Sequence, residues 1–341
     1  MRINGTKIGD APYVVAEIGC NHDGDFDKCL KMIEVAADCG VNAVKLQKRT
    51  PEKLFTREVL DSYYDSPNSH GVTYGEHRAA LDWFGTGEFH KISLKCGSLG
   101  VDFICTPFTS HDAEFLHNVI GLDAFKIASC DLTNIPLIEQ VIRYGKPVII
   151  STGGGSEEDI LRLKPVIGLS DNVAVLHCVS SYPNGDDLNL GLIPKIRDWL
   201  MCQVGFSSHH PGLLPMYVAY MQGARIFEAH FTLNRGGRGT DHGFSLEPDG
   251  LSRLCEDLNR ISGMVGTGEA FSGEKEGFVK KMGKSVYSAR SIKKGAEIVR
   301  DDLCLMAPAV ALEPYEINDV VGRLAIEDIP AKVAISWSSF I

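Results

Sequence analysis

The sequence predicts a (β/α)8 TIM barrel followed by a small β-rich C-terminal domain. Three observations predict this fold: eight short β-branched runs, helical periodicity between them, and a spacing of roughly 20 to 30 residues from one run to the next. Eight such repeats within about 250 residues are typical of this barrel. The competing fold, an open doubly wound sheet, would be unusually wide with eight strands.

The eight predicted strands are YVVAEIGC (13–20), AVKLQKR (43–49), DFICTPF (102–108), AFKIAS (124–129), PVIIST (147–152), VAVLHCVS (173–180), QVGFSS (203–208) and IFEAHFT (226–232). Helical intervals such as FDKCLKMIEVAADCG separate them. The interval after the second strand is longer, and residues 55–91 show turn residues first and helical periodicity second. An insertion at that point falls on the active-site face of a barrel.

The composition changes after the last predicted barrel helix. Residues 273–283 are rich in Gly and Lys and are predicted to link a barrel domain at 1–272 to a small domain at 284–341. In the small domain, SVYSARSIKKGAEIV indicates two strands and a turn, DDLCL a helical turn, and AKVAISWSSF a closing strand. About 55 residues are marginal for an independent core, so we expect this domain to dock on the barrel or on a partner chain.

Composition excludes several classes of function. The chain has 341 residues and a net charge of −10, which argues against a nucleic-acid or membrane-surface partner. There is no apolar run of eighteen residues and no secretory signal pattern, so we expect a cytoplasmic protein. Ten cysteines without a C-x-x-C pair favour reduced thiols. An anionic substrate would need a local concentration of positive charge.

Polar residues recur near the C-terminal end of every predicted strand. They are Glu17, Lys45, Gln47, Thr106, Lys126, Ser129, Ser151, Thr152, His177, Ser180, Ser207, His209, Glu228 and His230. All strand ends of a barrel converge on one mouth. Buried Lys and Glu are rare unless they are paired or functional. For any single residue a structural role is equally open, but the whole set predicts an active site at the mouth.

His209 and His230 lie on consecutive predicted strands and would be neighbours in a barrel. Two neutral imidazoles with water ligands suit Mn²⁺, Co²⁺, Fe²⁺ or an ion like Mg²⁺, and they leave positions open for a substrate oxygen. A closed structural zinc site would need four ligands. One histidine of SSHHPG could instead cap the backbone, and His210 is the better candidate for that role.

Lys45 and Lys126, together with the small hydroxyls at the strand ends, predict a site for a phosphate and a carboxylate. A phosphorylated carboxylic acid would fit. STGGGSEEDI adds a Gly-rich turn before a helix that could hold an anion, or Ser156 could be only the N-cap. Asp241 follows the last strand in a Gly-rich loop, where it could bind sugar hydroxyls, act as an acid or base, or lie in an exposed turn.

Several stretches resemble the sialic acid synthase (N-acetylneuraminate synthase) family. They are AEIGCNHDGD, AVKLQKRTPEKLF, TPF, FKIASCDLTNIPLI, KPVIISTGG, HCVSSYP, GFSSHHPG and EAHFTLNR, in the order and spacing of the family. SVYSARSIKKGAEIVRDDL is similar to the family's C-terminal antifreeze-like (SAF) domain. The resemblance covers nearly the whole chain and implies a domain-swapped homodimer.

The resemblance implies a transferase that condenses phosphoenolpyruvate with an N-acylmannosamine-type aldehyde, giving a nine-carbon 3-deoxy-2-keto acid and phosphate. It implies that His209 and His230 bind a divalent metal, Mn²⁺ first and otherwise Mg²⁺ or Co²⁺, which polarises the aldehyde. The implied phosphoenolpyruvate contacts are Lys45, Thr106, Lys126, Ser129, Ser151, Ser180 and Ser207. The implied residues around the sugar and the attacking water are Glu17, Gln47, Tyr182, Glu228 and Asp241. Glu17 is the first candidate to position or deprotonate that water, and Glu228 is the second.

Some details depart from the bacterial pattern of this family. GVTYGEHRAALDW and RGTDHGFSLEP resemble the branch that contains the animal 9-phosphate synthase, and Ser180 stands where other bacterial-type members have Asn. Ala307 precedes Pro308 where many bacterial members place an Arg that reaches across the dimer to the N-acyl group. The acceptor therefore stays open between an N-acylmannosamine, free or 6-phosphorylated, a mannose derivative and a legionaminic-type or pseudaminic-type sugar.

Two rival functions also stay open. A Schiff-base pyruvate aldolase could use Lys126 or Lys45 on the same fold. A non-catalytic carbohydrate-binding barrel is the other, although the complete polar set at the strand ends argues against it.

Overall fold

The structure is a computed structural model that describes residues 1–9, 11–122, 124–168, 172–181, 183–266 and 277–341. The chain divides into two compact units, Met1–Val265 and Gly266–Ile341. In the first unit eight parallel strands close into a barrel in chain order, and the last strand pairs with the first. The predicted (β/α)8 barrel is therefore confirmed.

The strands of the first unit comprise an N-terminal hairpin and the barrel. They are β1 (Arg2–Ile3), β2 (Thr6–Lys7), β3 (Tyr13–Gly19), β4 (Ala43–Lys48), β5 (Asp102–Pro107), β6 (Ala124–Ile127), β7 (Val148–Ser151), β8 (Val173–Cys178), β9 (Gln203–Ser208) and β10 (Ile226–His230). Strands β3 to β10 form the barrel, and each ends within two residues of its predicted end. The sequence patterns did not predict the β1–β2 hairpin.

Alternation along each strand separates the barrel lumen from the helical layer, because residues two apart share a face. On β10, Phe227 and Ala229 pack in the core beneath the helices, whereas Glu228 and His230 line the lumen. The lower lumen is filled by Tyr13, Val15, Ala43, Ile104, Ala124, Ile149, Ala174, Leu176 and Ile226, with Ile3 and Ile8 packed against them. The N-terminal hairpin thus packs against the bottom of the barrel, and among the described residues the cavity opens at the C-terminal end of the lumen.

Helices cover the outside of the barrel. They are α1 (Phe26–Asp38), α2 (Pro51–Leu54), α3 (Arg57–Asp61), α4 (Tyr74–Leu81), α5 (Thr86–Leu99), α6 (Ser110–Phe115), α7 (Ile135–Arg143), α8 (Glu157–Leu161), α9 (Lys164–Ile167), α10 (Leu192–Leu200), α11 (Leu214–Met221) and α12 (Pro248–Val265). Helix α7 shows why such segments are helical. The Asn134 side chain accepts a hydrogen bond from the Leu137 N–H at its start, and Leu137, Ile138, Val141 and Ile142 form one buried stripe.

The insertion between β4 and β5 is more helical than the sequence indicates. Its first half was predicted as turns, but it contains α3, which is followed by an irregular stretch at residues 62–73 with one bridge between Tyr63 and Thr73. A capping box of Thr73 and Glu76 starts α4. Arg238, in the loop after β10, donates hydrogen bonds to the carbonyl oxygens of Pro67 and Ser69. The insertion therefore lies beside the loops at the C-terminal end of the barrel.

The second unit contains a small antiparallel sheet of β11 (Ser285–Ser288) and β12 (Leu303–Met306). The short helices α13 (Phe278–Met282) and α14 (Ile317–Val320) accompany it, so a helix occupies part of the stretch predicted as a linker. The helical turn predicted for DDLCL was wrong at Leu303–Leu305, which belong to β12. The second and the closing predicted strands are reduced to isolated bridges, Glu297–Leu324 in the second and Tyr287–Ala334 in the closing one.

Two further sequence expectations can be compared with the structure. All ten cysteines are free thiols, and most of them are buried. Within the described residues, no helix combines the length and the apolar character that a membrane crossing requires.

We expect Gly205→Ala to lower the free energy of unfolding by about 1–3 kcal/mol, because an added Cβ on β9 would overlap the Ile226 carbonyl oxygen and the Leu176 side chain. Gly97→Ala in α5 is the matched control. Its Cβ would meet no atom within 4 Å, so a gain of about 0.5–1 kcal/mol is expected. Urea denaturation measures both, and equal transition midpoints for the two variants would contradict this close strand packing.

Candidate active site

The C-terminal end of the barrel opens into a cavity of about 710 Å³. The predicted site residues that line it are Glu17, Lys45, Gln47, Thr106, Lys126, Ser129, Ser151, Ser180, Ser207, His209, Glu228, His230 and Asp241. Of the residues predicted to bind the substrates or a metal or to take part in catalysis, the remaining one, Tyr182, lies outside the described residues. All eight barrel strands, or the loops that follow them, thus bring a predicted side chain to one cavity.

Lys45 lies between two carboxylates in the deep part of this cavity. Its Nζ is 2.9 Å from Glu17 Oε2 and 3.6 Å from Glu228 Oε1, and it donates to Thr106 Oγ1 at 3.3 Å. Burial opposes the charge on Lys45, but the attraction of Glu17 and Glu228 outweighs burial and raises the pKa of the lysine. Lys45 therefore keeps its charge at neutral pH although it is buried.

Lys126 is held mainly by uncharged partners. Its Nζ donates to Ser151 Oγ at 2.6 Å and to the Ile127 carbonyl oxygen at 2.9 Å. Burial lowers the pKa of Lys126, and the nearby Glu228 offsets this only in part. Such a lysine gains strongly from an incoming anion, and it can act as a nucleophile once it has lost its proton.

Glu228 balances the charge of the two lysines. Burial opposes its ionisation, but Lys126 and Lys45 outweigh burial and lower the pKa of Glu228 to about 2. Ser207 donates a hydrogen bond to Glu228 Oε1 at 3.1 Å. Two lysines thus face two glutamates, Glu17 being the other, and their formal charges cancel. An anion that binds here must take a lysine away from a carboxylate or bind together with a cation.

A cradle of small groups lies beside Lys126. The Gly153 N–H donates to Ser129 Oγ at 3.0 Å. A Cβ on Gly153 would lie 2.8 Å from Ser129 Oγ and would overlap Ser180 Oγ. Only glycine therefore leaves room for both hydroxyls around the backbone at this point. Ser156 is the N-cap of the short helix α8, as one reading of the sequence predicted.

His209 and His230 bring their rings together at the end of β9 and β10, with centroids 5.2 Å apart. His209 Nδ1 lies 3.0 Å from the Val179 carbonyl oxygen, which fixes this nitrogen as the protonated one in the neutral ring. Burial, together with His230, lowers the pKa of His209 to about 4. A neutral imidazole with a defined tautomer is the form that binds metals.

The imidazole pair fits a metal site with open positions rather than a closed one. His230 Nδ1 is buried and makes no hydrogen bond to any described residue, although Asp241 Oδ2 lies 3.6 Å away. No cluster of three or more His, Cys, Asp or Glu side chains in the described part of the chain has the arrangement of a metal site. Two protein ligands, completed by water or substrate oxygens, are what these residues can offer.

Other histidines near the mouth have structural contacts. His210 Nδ1 accepts a hydrogen bond from the Gly212 N–H at 2.9 Å, so it caps the turn that follows β9. His242 lies 2.7 Å from Thr232 Oγ1 and 3.2 Å from Asp23 Oδ1, and it is almost fully buried. These contacts tie the loop that carries Asp241 to the loop after β3.

The polar set at the strand ends included two residues that lie outside the cavity lining. His177 Nε2 lies 2.7 Å from the Leu188 carbonyl oxygen, and Thr152 donates to the Leu176 carbonyl oxygen at 3.2 Å. Both are one residue out of phase with lumen-facing positions, since Ser151 and Leu176 point inward. Their expected place at the mouth was wrong.

The cavity also contains cationic residues that sequence reasoning missed. Arg49 follows β4, and Arg78 lies on α4 within the insertion. Arg49 continues the alternation of Lys45 and Gln47, and this period of two was the signal that could have identified it. Nothing in the sequence pattern indicated Arg78, because its position depends on how the insertion folds.

The chain is similar to known proteins over most of its length. The sequence model of the NeuB family matches residues 32–270. The N,N'-diacetyllegionaminic acid synthase of Legionella pneumophila is 30% identical, with 98% of this chain and 97% of the relative aligned. The N-acetylneuraminate-9-phosphate synthase of Drosophila melanogaster is 31% identical, with the same shares aligned. The solved structure of the N-acetylneuraminic acid (sialic acid) synthetase of Leptospira borgpetersenii has a TM-score of 0.69 at 31% identity, covering 81% of this chain and 93% of that chain.

The loop after β3 makes stability depend on pH through His22. Its ring stacks on Phe84 at 4.6 Å, its Nδ1 accepts from the Gly24 N–H at 3.0 Å, and burial lowers its pKa to about 4. In the unfolded chain His22 takes up a proton near pH 6.5, whereas in the folded protein it does so only near pH 4. The stabilisation that the neutral His22 gives to the fold is therefore complete above pH 6.5. As the pH falls toward 4 it is lost, by up to about 3 kcal/mol.

We therefore expect His22→Gln to lose less stability than the wild type between pH 6.5 and 4. Urea denaturation at several pH values measures the difference, in which the contributions of all other groups cancel. Parallel stability curves for the two proteins would contradict a neutral, buried His22.

Proposed function

The chain belongs to the NeuB family, and we propose that it condenses phosphoenolpyruvate with an N-acylmannosamine-type aldehyde to give a nine-carbon 3-deoxy-2-keto sugar acid and phosphate. The observation that carries the proposal is that two buried lysines and two imidazoles line a single cavity. The Legionella relative is named as a legionaminic acid synthase and the Drosophila relative as an N-acetylneuraminate-9-phosphate synthase, and both names support this class of reaction.

Phosphoenolpyruvate would bind in the deep part of the cavity. Its phosphate and carboxylate would pair with Lys45 and Lys126, and the hydroxyls of Thr106, Ser129, Ser151, Ser180 and Ser207 would supply directed donors. The charge of Lys126, disfavoured by burial, would be restored by this anion. Because Glu17 is the present partner of Lys45, the arriving anion would compete with that carboxylate.

We also propose that His209 and His230 hold a divalent metal, with Mn²⁺ as the first choice and Mg²⁺ or Co²⁺ next. When bound, this ion would polarise the aldehyde oxygen of the acceptor. The neutral state and fixed tautomer of His209 support this role. Asp241 lies 3.6 Å from His230 Nδ1, which places its carboxylate where it can orient either the imidazole or a sugar hydroxyl.

In the proposed reaction C3 of phosphoenolpyruvate forms a bond to the aldehyde carbon, whose oxygen takes up a proton. Water then adds at C2, and the bond from C2 to the bridging oxygen breaks, so that phosphate leaves and a ketone remains. Glu17 is suited to orient this water, because Gln47 fixes its Oε1 at 2.6 Å. Glu228, with a pKa of about 2, is a weak base at neutral pH and serves to hold charge on the lysines.

The acceptor sugar would lie above phosphoenolpyruvate, near Gln47 and Asp241. Carbon 1 of the sugar becomes carbon 4 of the product, and carbon 6 becomes carbon 9, so a product 9-phosphate requires a 6-phosphorylated acceptor. The relatives are named for different products, and family membership does not choose among an N-acylmannosamine, its 6-phosphate and a legionaminic-type or pseudaminic-type sugar.

Phosphate release tests this proposal directly. We expect the protein to release phosphate from phosphoenolpyruvate only when an aldehyde sugar is present, and to form a keto acid of the matching mass. The acceptor panel is N-acylmannosamine, mannose and diamino sugars, each tested free and, where the sugar has a 6-hydroxyl, also as its 6-phosphate. Two results would contradict the synthase: phosphate release in the absence of any acceptor, or no phosphate release with any sugar of the panel.

His230→Ala should reduce both Mn²⁺ binding, measured by calorimetry, and phosphate release. The loss should exceed the roughly 10–100-fold effect of changing an outer partner of a metal ligand. His210→Ala is the matched control, because this imidazole caps a turn and contacts Asp186 without lining the cavity, and the variant should keep both properties. Circular dichroism must show that both variants are folded. Wild-type metal binding by His230→Ala would overturn the assignment of the ligand.

One observation favours a second candidate, a Schiff-base aldolase acting on pyruvate. Burial lowers the pKa of Lys126, as a nucleophilic lysine requires. For the synthase we expect borohydride treatment with pyruvate to leave the mass of the protein unchanged. A reduced pyruvyl adduct on Lys126 would establish the aldolase instead.

A further inference from the structure

A second cationic group lies in the outer part of the same cavity, apart from Lys45 and Lys126. Arg49 and Arg78 both line the cavity, and their side chains are only 14% and 8% exposed. Arg49 comes from the end of β4, whereas Arg78 comes from α4 of the insertion. Two arginines withdrawn from water need anionic partners.

The acidic residues around this pair supply less charge than the arginines carry. Arg78 binds Asp82 through two hydrogen bonds of 2.6 and 2.5 Å, and Arg49 Nη1 lies 3.5 Å from the same carboxylate. Asp23 also lines the cavity, but it forms an ion pair with Lys28. The two arginines therefore share the single carboxylate of Asp82, and Arg49, at 3.5 Å, is the more loosely paired of the two.

Arg49 is oriented to use its charge on a ligand. Its guanidinium stacks on the Phe108 ring at 4.0 Å, and its Nη1 points to Cys20 Sγ at 3.5 Å. Nε and Nη2 make no hydrogen bond within the described part of the chain. A stacked, planar guanidinium with unused donors along one edge is the geometry that binds a phosphate through two hydrogen bonds.

Arg49 lies just past the end of β4, farther out along the barrel than Lys45. Lys45, Gln47 and Arg49 follow one another at every second position, so the Cα atoms of Lys45 and Arg49 are separated by about 13 Å along the strand. Gln47 lies between them and points into the cavity. The two anionic groups of phosphoenolpyruvate are accounted for by the deep lysines, so an anion at Arg49 must belong to the other substrate.

We propose that Arg49 and Arg78 bind a phosphate at the end of the acceptor sugar remote from its aldehyde, so that this protein uses a 6-phosphorylated hexosamine-type acceptor. This inference rests on the proposed function, because it assumes that an aldehyde sugar occupies the space above Gln47. The sugar chain spans the cavity from the imidazoles at the end of β9 and β10 to the guanidinium of Arg49.

The alternative is that the two arginines only brace the insertion. Arg78 and Asp82 are i and i+4 on α4 and its C-cap, and the contact of Arg49 with Asp82 joins β4 to that helix. If the arginines only brace the insertion, replacing Arg49 should lower kcat/KM equally for the free and the phosphorylated acceptor and should also lower the free energy of unfolding. If they bind a phosphate, the replacement should lower kcat/KM for the phosphorylated acceptor alone.

Two measurements on the full-length protein separate these cases. The first is the ratio of kcat/KM for the 6-phosphorylated acceptor to kcat/KM for the same sugar without phosphate. The second is calorimetric binding of the 6-phosphate of the reduced sugar alcohol, which has no aldehyde and cannot react. We expect the wild type to prefer the phosphorylated acceptor and to bind the alcohol phosphate more tightly than the unphosphorylated alcohol.

Arg49→Gln should lower both that ratio and the affinity for the alcohol phosphate by roughly tenfold to a hundredfold, the effect of losing a hydrogen-bonded charge. Arg49→Lys, which keeps the charge but loses the fork, should fall in between. Arg57→Gln is the matched control, since Arg57 lies in the same insertion on α3 and is 93% exposed. It should leave both quantities unchanged.

These measurements test the phosphate site at Arg49 and the synthase activity independently of each other. If the wild type turns over the free sugar as well as its phosphate, or if Arg49→Gln lowers both equally, the phosphate site is refuted while the synthase stands. If the alcohol phosphate binds through Arg49 but no acceptor releases phosphate from phosphoenolpyruvate, the synthase fails and the phosphate site stands. If Arg49→Gln does not fold, the phosphate site is still tested by Arg49→Lys and by the wild-type ratio of kcat/KM for the phosphorylated acceptor to kcat/KM for the free sugar.

Discussion

Two ammonium groups inside a closed barrel are the constraint on which the rest of the site depends. Lys45 and Lys126 are almost completely removed from solvent, and an isolated buried charge would cost more than a protein of this size can tolerate. Glu17 and Glu228 offset that cost. Since β3 pairs with both β4 and β10, the strand register sets Glu17 directly beside Lys45 and brings Glu228 of β10 to within 3.6 Å of the same lysine. A slip of one residue would turn the charges toward the helices.

The same constraint explains how the lumen is divided. Charged groups can be buried only where ligands or partners reach them, and they sit at the C-terminal end, above a floor of apolar side chains sealed by the N-terminal hairpin. The insertion and the loop after β10 are joined through Arg238 at that same end. The interior is therefore apolar where nothing binds and polar where the strands end.

Much of this arrangement follows from a period of two. The number and spacing of the eight runs predicted the barrel, and within the runs Glu17, Lys45, Lys126 and Glu228 fell in the lumen phase. Applied strictly, the same period would have excluded His177 and Thr152. It would also have identified Arg49 after Gln47 and Gly153 after Ser151.

Other features had no such local signal. Arg78 reaches the cavity only because the insertion folds back over the mouth, and the four-residue strand Leu303–Met306 depends on its pairing with Ser285–Ser288. The N-terminal hairpin is likewise defined by what it packs against, and its strands are two residues long. In each case the determining contact is distant in sequence.

Under the proposed function, the charge arrangement would also link substrate binding to the preparation of the reaction. In the structure Glu17 Oε2 is engaged by Lys45, while Oε1 is fixed by Gln47. A phosphorylated anion that takes Lys45 would release Oε2 without moving the carboxylate, because Gln47 still holds its other oxygen. Glu17 would then accept a hydrogen bond from water only once phosphoenolpyruvate is in place. The pairing that makes a buried lysine tolerable in the free protein would thus keep the water-orienting group occupied until there is a substrate for the water to attack.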